Sequence, residues 1–226
     1  MERIVNKILP PQNTSYPIEK AHISSHEQYQ VRYNSSVSNP EKFWAEVAER
    51  ITWFKKWNHV RKYDFAQANI KWFEGAKLNA RYNCLDRHVA SGHGQETALI
   101  WEGNNPAEDN TFTFNELLQE VKFFSNVLKS QGVEKGDRVI IYMPMIPEAV
   151  VAMLACARLG AIHSVVFGGF APNELAIRID DAKPKALVTA SCGIEFTNII
   201  EYKPLVDEAL RISSHAPETE IGRAHV

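Results

Sequence analysis

Three apolar, β-branched runs begin at residues 138, 162 and 186, a repeat of 24 residues with one helical stretch in each gap. This rhythm limits the chain more than any other feature. Alternating strand and helix at such spacing predicts βαβαβ units, a parallel sheet with right-handed crossovers. The expected strands are Arg138–Tyr142, Ile162–Phe167 and Ala186–Ala190. Val139-Ile140-Ile141 and Val165-Val166-Phe167 read as strands covered on both faces. Helices are expected from Pro147 to Gly160 and from Pro172 to Ala182, each opening with proline in its first turn. A further helix precedes the first strand. Thr113-Phe114-Asn115-Glu116 matches a capping box, Leu117, Val121, Phe124 and Leu128 follow at helical spacing, and Gly132 fits a left-handed stop. A last helix is expected around Lys203–Ile212, and the sheet is expected to stop after its third strand.

The first half is built differently. All five tryptophans lie between Trp44 and Trp101. Residues 1–37 are polar and turn-prone and read as an extended arm, while Ser38-Asn39-Pro40-Glu41 starts a helix with Trp44, Val47, Ala48 and Ile51 on one face. From Trp53 to Tyr82 aromatic residues alternate with Lys, Arg and Asn. Stacking on nucleic-acid bases is rejected, because Asp64 and Glu74 interrupt the positive charge. The rings are expected to anchor non-repetitive chain by burying large area.

Composition excludes several classes. A formal net charge of −2 over 226 residues is not that of a nucleic-acid binder. The most apolar stretch, 139–167, is interrupted by Glu148, Arg158 and His163, so no membrane span is expected. Three scattered cysteines make no disulfide framework. The N-terminus lacks a signal core and a presequence composition, which favours the cytoplasm and leaves a mitochondrial location open. At about 150 residues per domain, the length corresponds to roughly one and a half domains.

Ligands of open parallel sheets sit beyond the carboxyl ends of the strands. Two loops meet that rule, Met143–Pro147 and Phe167-Gly168-Gly169-Phe170-Ala171-Pro172. In the second, glycines permit close approach of a ligand and the next helix offers free N–H groups to a phosphate or amide. Equally, Gly-Gly makes a tight turn and nothing more. Metal binding is not expected: His88 and His93 lack a third ligand, and His22 and His26 lie in the polar arm. Asp180-Asp181 reads as a solvated helix end, Ser164 and Ser191 lack a nucleophile elbow, and nothing around Cys192 marks a lowered pKa. No catalytic group is visible.

Tyr142-Met143-Pro144-Met145-Ile146-Pro147-Glu148 and the run from Ala155 through Gly168-Gly169-Phe170 strongly resemble the short-chain acyl-CoA synthetases, adenylate-forming ligases that handle acetate or propionate. Trp72–Asn79 and Asn83–His88 match the same family's N-terminal segment in order and spacing. The resemblance implies a helical and irregular, aromatic-rich N-terminal part followed by the first βαβαβ units of a truncated α/β adenylation domain. The implied organisation is an arm over 1–25, the family's N-terminal segment over 26–84, the first part of the AMP-binding domain over 85–219, and a tail over 220–226.

The implied reaction joins the acid to ATP, releasing pyrophosphate, and then passes the acyl group from AMP to coenzyme A (CoA). ATP, Mg2+ and CoA are the implied cofactors and substrates, with no nucleic-acid or membrane partner and the oligomeric state unread. Phe167, Gly168 and Gly169 carry over as CoA contacts. Glu195 and Asn198 stand where some members place arginine, so they lose a bidentate phosphate contact. The ATP-phosphate loop, the ribose-binding Asp, the lid Lys and the acyl pocket all come later in the family, so the chain alone is expected to be inactive. Glu220–Val226 does not resemble the family; one reverse translation of it resembles a sequencing-library adapter, and it reads as a non-native tail. The competing reading is a non-catalytic module that binds CoA or a partner chain.

Overall fold

A computed structural model describes residues 20–105, 107–195 and 197–223. Residues 1–19 of the expected arm and residues 224–226 of the expected tail lie outside the described residues. Two compact units are present, Met1–Ile51 with Trp57–Gly75, and Thr52–Lys56 with Ala76–Val226.

In the first unit, α1 (His26–Ser38) and α2 (Pro40–Ala48) precede a hairpin of β1 (His59–Asp64) and β2 (Asn69–Glu74). Two expectations are corrected here. The extended reading of residues 1–37 fails at α1, because the Ser25 hydroxyl accepts from Gln28 N at 3.2 Å and frees the chain to propagate a helix. The aromatic segment is not non-repetitive chain. Its antiparallel hairpin turns where Asp64 Oδ1 accepts from Ala66 N at 3.0 Å and Gln67 N at 3.2 Å. Rings bind it together: Trp72 meets Trp44 edge-on at 6.0 Å, Trp57 meets Phe73 at 5.0 Å, and the Arg61 guanidinium lies 4.6 Å from the Tyr63 ring centre.

The second unit holds the sheet. Two π-helical turns, Tyr82–Asp86 and Val89–His93, lead into a small antiparallel pair, β3 (Thr97–Glu102) and β4 (Asp109–Thr113). Then come α3 (Phe114–Ser130), β5 (Arg138–Met143), α4 (Pro147–Leu159), β6 (Ile162–Phe167), α5 (Pro172–Ala182) and β7 (Ala186–Ala190). The hairpin β8 (Cys192–Glu195) and β9 (Asn198–Glu201), α6 (Tyr202–Ile212) and β10 (Thr219–Arg223) complete it.

The capping box forms as read: Thr113 Oγ1 accepts from Glu116 N at 3.2 Å while Glu116 Oε2 accepts from Thr113 N at 2.8 Å. At the other end Gly132 takes φ +77, and α4 stops at Gly160 with the same left-handed φ. Val139 through Tyr142 are fully buried, as a strand covered on both faces must be, but the same expectation fails for Val165-Val166-Phe167: β6 is the edge strand, and Val165 and Phe167 are exposed. α3 packs on α4 and α5 on α6. Right-handed crossovers put these two pairs on opposite faces of the sheet.

The parallel sheet has the order β10-β7-β5-β6, with Arg138 opposite Ile162 and Val139 opposite Ala186. It therefore has four strands where three were expected. β10 lies parallel to β7, started by Glu218 N donating to Lys185 O at 2.9 Å, with Ile221 packed against the core. Backbone pairing of this kind asks only for an extended chain and one inward apolar side chain. Among the described residues no helix is long and apolar enough to cross a membrane.

Candidate functional site

From β5 the chain goes to β6 on one side, and from β7 to β10 on the other. The loops leaving the carboxyl ends of these strands therefore part at a topological switch point, the place where open α/β sheets hold ligands. Met143 pairs with Phe167, so loops 143–147 and 167–172 leave the sheet side by side. The first is pinned by Trp101 Nε1 donating to Met145 O at 2.8 Å. The second turns at Gly169, φ +86, and is tied to the sheet by the Tyr142 hydroxyl, which donates to Phe170 O at 2.8 Å. Burial raises the Tyr142 phenol above its ordinary pKa, partly opposed by its contact with the Gly169 backbone.

The two glycines have different reasons. A Cβ on Gly169 would meet only Ile200 Cδ1 at 3.8 Å, so its outer side is open. A Cβ on Gly168 would collide with the Tyr202 hydroxyl and come within 2.8 Å of Met143 O. The room that Gly168 provides is thus taken by this chain's own Tyr202, which is 2% exposed and packs, tilted, at 5.1 Å on Tyr142. Phe167 is 62% exposed and Phe170 38%, with ring centres 5.6 Å apart, and the Arg178 guanidinium lies 5.4 Å from the Phe170 centre. Arg178 itself donates to Glu174 O at 2.9 Å and to Glu174 Oε2 at 3.1 Å.

Glu195 and Asn198 pair across the tip of the β8–β9 hairpin, and Asn198 is exposed. The base of the hairpin approaches the glycine loop, through Ile200 beside Gly169 and through Gly193 against Tyr202, the first residue of α6. The acid and the amide at the tip give an anion no cation. Tyr202 and Arg178 escape a sequence reading. Tyr202 is far from Gly168 along the chain, and Arg178 looks like one more solvated helix residue.

Other candidates resolve into structure. Asp180 is not merely solvated: its Oδ1 accepts from Ser214 N at 2.7 Å and His215 N at 2.9 Å. His88 stacks on Phe114 at 4.9 Å. Burial pushes the Cys156 thiol up to about 12, and Cys84 is exposed. Among the described residues no group of three or more His, Cys, Asp or Glu could hold a metal ion. A cavity of about 460 Å³ lies on the other face of the sheet, lined by Phe112, Phe124, Met143, Val151, Val188 and Ile221. Met143 and Tyr142 are consecutive on β5 and so point to opposite faces, which separates this cavity from the glycine loop.

The switch point of this parallel sheet thus gathers exposed rings, a guanidinium and a glycine whose outer side is open. The chain belongs to the AMP-binding enzyme family, whose model matches residues 86–223. Residues 29–84 match a second model, described as the acetyl-coenzyme A synthetase N-terminus. An acetyl-coenzyme A synthetase of Leptospira biflexa is 54% identical over 183 residues, which is 81% of this chain and 28% of that protein. One from Magnetococcus marinus is 54% identical over 185 residues, 81% of this chain and 29% of that protein. The rat protein named acyl-CoA synthetase short-chain family member 3, mitochondrial, is 47% identical over 191 residues, 84% and 28% respectively. The chain spans under a third of the length of these relatives.

Proposed function

We propose that this chain is the N-terminal part of an AMP-forming ligase for a short carboxylic acid, acetate or propionate. The acid attacks the α-phosphate of ATP, pyrophosphate leaves, and the CoA thiol then displaces AMP from the acyl-adenylate. The observation that carries this reading is the family match over 86–223 on a sheet whose switch-point loop turns at a glycine with an open outer side. The part played by this chain is to hold CoA, with Phe167 and Gly169 facing it and Gly168 shaping the loop. The loop fits such a ligand: exposed rings accept apolar or purine surface, and the missing Cβ of Gly169 lets it come close to the backbone. Arg178 is the guanidinium beside the loop, 5.4 Å from the Phe170 ring centre, with its charge shared with Glu174.

Adenylation needs positioned donors and a cation around a polyanion. Mg2+ bound with ATP would supply that cation, held by substrate phosphates with one or two carboxylates. The chain alone is inactive in this reading, because it spans under a third of the length of its relatives, and its bacterial relatives fit a cytoplasmic setting while the rat relative, named mitochondrial, fits a mitochondrial one. The test is a chimera in which residues 26–219 replace the matching segment of the Leptospira biflexa synthetase. Acetate- or propionate-dependent formation of acyl-CoA is expected from the chimera, and no acid-dependent ATP–pyrophosphate exchange from chain 1–226. A folded chimera that makes adenylate but no thioester refutes the CoA-holding role; exchange by the chain alone refutes its inactivity.

A further inference from the structure

We propose that Tyr202 is a positioning residue that couples the β8–β9 hairpin to the ligand-facing loop, so that the hairpin's geometry sets the affinity of that loop for CoA. The consequence for affinity rests on the reading of the loop given above.

Two glycines distant in sequence are glycines for the sake of the same side chain. Gly168 and Gly193 both lie outside the left-handed region, so neither backbone needs glycine for its own conformation. What each lacks is space. A Cβ on Gly193 would lie 2.7 Å from the Tyr202 hydroxyl oxygen, 3.0 Å from Cζ and 3.2 Å from Cε1, and a Cβ on Gly168 would meet the same hydroxyl from the other side. The phenol ring is thus wedged between the start of the glycine loop and the first strand of the hairpin. It has little room to yield, because it is 2% exposed and packed at 5.1 Å on Tyr142.

The wedge touches the loop at both ends. Gly168 meets it directly, and Phe170 is held by the hydroxyl of Tyr142, the ring against which Tyr202 packs. Its other anchor is the base of the hairpin, where Tyr202 N donates to Ser191 O at 2.9 Å and Lys203 N to the same oxygen at 3.4 Å. Ile200, two residues earlier, faces the open side of Gly169, its Cδ1 3.8 Å from where a Cβ on that glycine would lie. A displacement of the hairpin therefore reaches the Gly169 amide through one rigid ring, while an unmoved hairpin holds that amide in place.

Gly168-Gly169 is the only Gly-Gly pair in the sequence. A sample labelled with carbonyl-13C, 15N-glycine therefore gives a single cross-peak in an HNCO spectrum, that of the Gly169 amide. Chain 1–226 is compared with Gly193→Ala, Tyr202→Leu and the double variant, each checked for unchanged circular dichroism and titrated with CoA. Gly193→Ala is expected to move the Gly169 peak and weaken CoA about tenfold. Tyr202→Leu is expected to cancel both increments, so that the double variant behaves as Tyr202→Leu alone. If Gly193→Ala does not fold, Tyr202→Phe, which removes only the hydroxyl wedged between the glycines, must move the same peak. An unmoved Gly169 peak, or effects of Gly193→Ala and Tyr202→Leu that simply add, overturns the coupling. A wild-type peak that CoA does not move overturns instead the reading of the loop as a CoA contact, and the peak shifts of the variants still decide the coupling.

Discussion

Replacing Asp86 by asparagine should be the most damaging isosteric change in the second unit. Asp86 closes the π-helical turn Tyr82–Asp86 and stands between two arginines, paired with Arg81 and 3.7 Å from Arg158 on the last turn of α4. Arg81 is 8% exposed, and burial, with repulsion from Arg158 added, pulls its guanidinium down to about 10. At neutral pH both arginines keep their charge, and one carboxylate compensates them. A unit pair near 4 Å is worth about 4 kcal/mol at an effective dielectric near 20. Removing one member of a buried pair costs about 3–5 kcal/mol. Because the Asp86 and Arg158 side chains keep 23% and 29% of their exposure, the lower end applies, about 3 kcal/mol. Urea unfolding followed by circular dichroism at pH 7 should show the midpoint of Asp86→Asn lowered by about 1 M. The loss should persist in 1 M NaCl, since buried pairs are screened little. The double variant Arg81→Met, Asp86→Leu, which removes the pair together, should be less destabilised than Asp86→Asn. A loss below about 1 kcal/mol for Asp86→Asn, or a double variant worse than the single, refutes the reasoning.

Two further outcomes follow from the second unit. Cys156 is buried with its pKa raised from 9.0 to about 12, so the native state keeps a proton that the unfolded chain releases above pH 9; stability should fall by about 1.4 kcal/mol per pH unit between these values. Cys156→Ala should remove that component of the slope, and in the native protein at pH 8 a thiol reagent should modify Cys84 while sparing Cys156 until unfolding. Thr113→Ala should cost about 1 kcal/mol in thermal or urea unfolding by removing the cap of α3. Glu116 is held below its ordinary pKa by the Thr113 backbone N–H first and its hydroxyl second, so its contribution is present above the unfolded carboxylate pKa and disappears as pH falls through the folded one. A pH dependence of stability that is the same with and without Glu116→Gln would contradict it.

The elements that were legible in sequence are those whose ends are fixed by local chemistry. α5 begins and ends where Pro172 and Ala182 placed it, β6 has its expected bounds, and α4 stops at Gly160 because a left-handed residue ends a helix whatever surrounds it. Ser25-His26-Glu27-Gln28 carries a capping pattern that could have marked α1, masked by the polarity of a helix that buries no side chain. The hairpin β1–β2 lacks an apolar alternation, and its turn reaches positive φ at Ala68 rather than at glycine or asparagine, so neither strand nor turn announces itself. At the site, the loop was legible as a loop at a strand end. The reason for Gly168 was not, because the space it leaves is filled by Tyr202, a residue brought there only by the crossover through α5 and β7.

The strand order β10-β7-β5-β6 also has a consequence in time. β5 emerges first from a ribosome and is joined by β6 on one side, then by β7 on the other, and β10 extends that second side last. The sheet thus grows outward from its oldest member, and no later strand has to be threaded between two that have already paired. Between the synthesis of Phe167 and that of Ala190, however, Val139-Ile140-Ile141 presents a bare strand edge of apolar chain to any other nascent copy. That edge is closed only once α5 and β7 have been made, so the time taken to make them prolongs the exposure of β5 to mispairing.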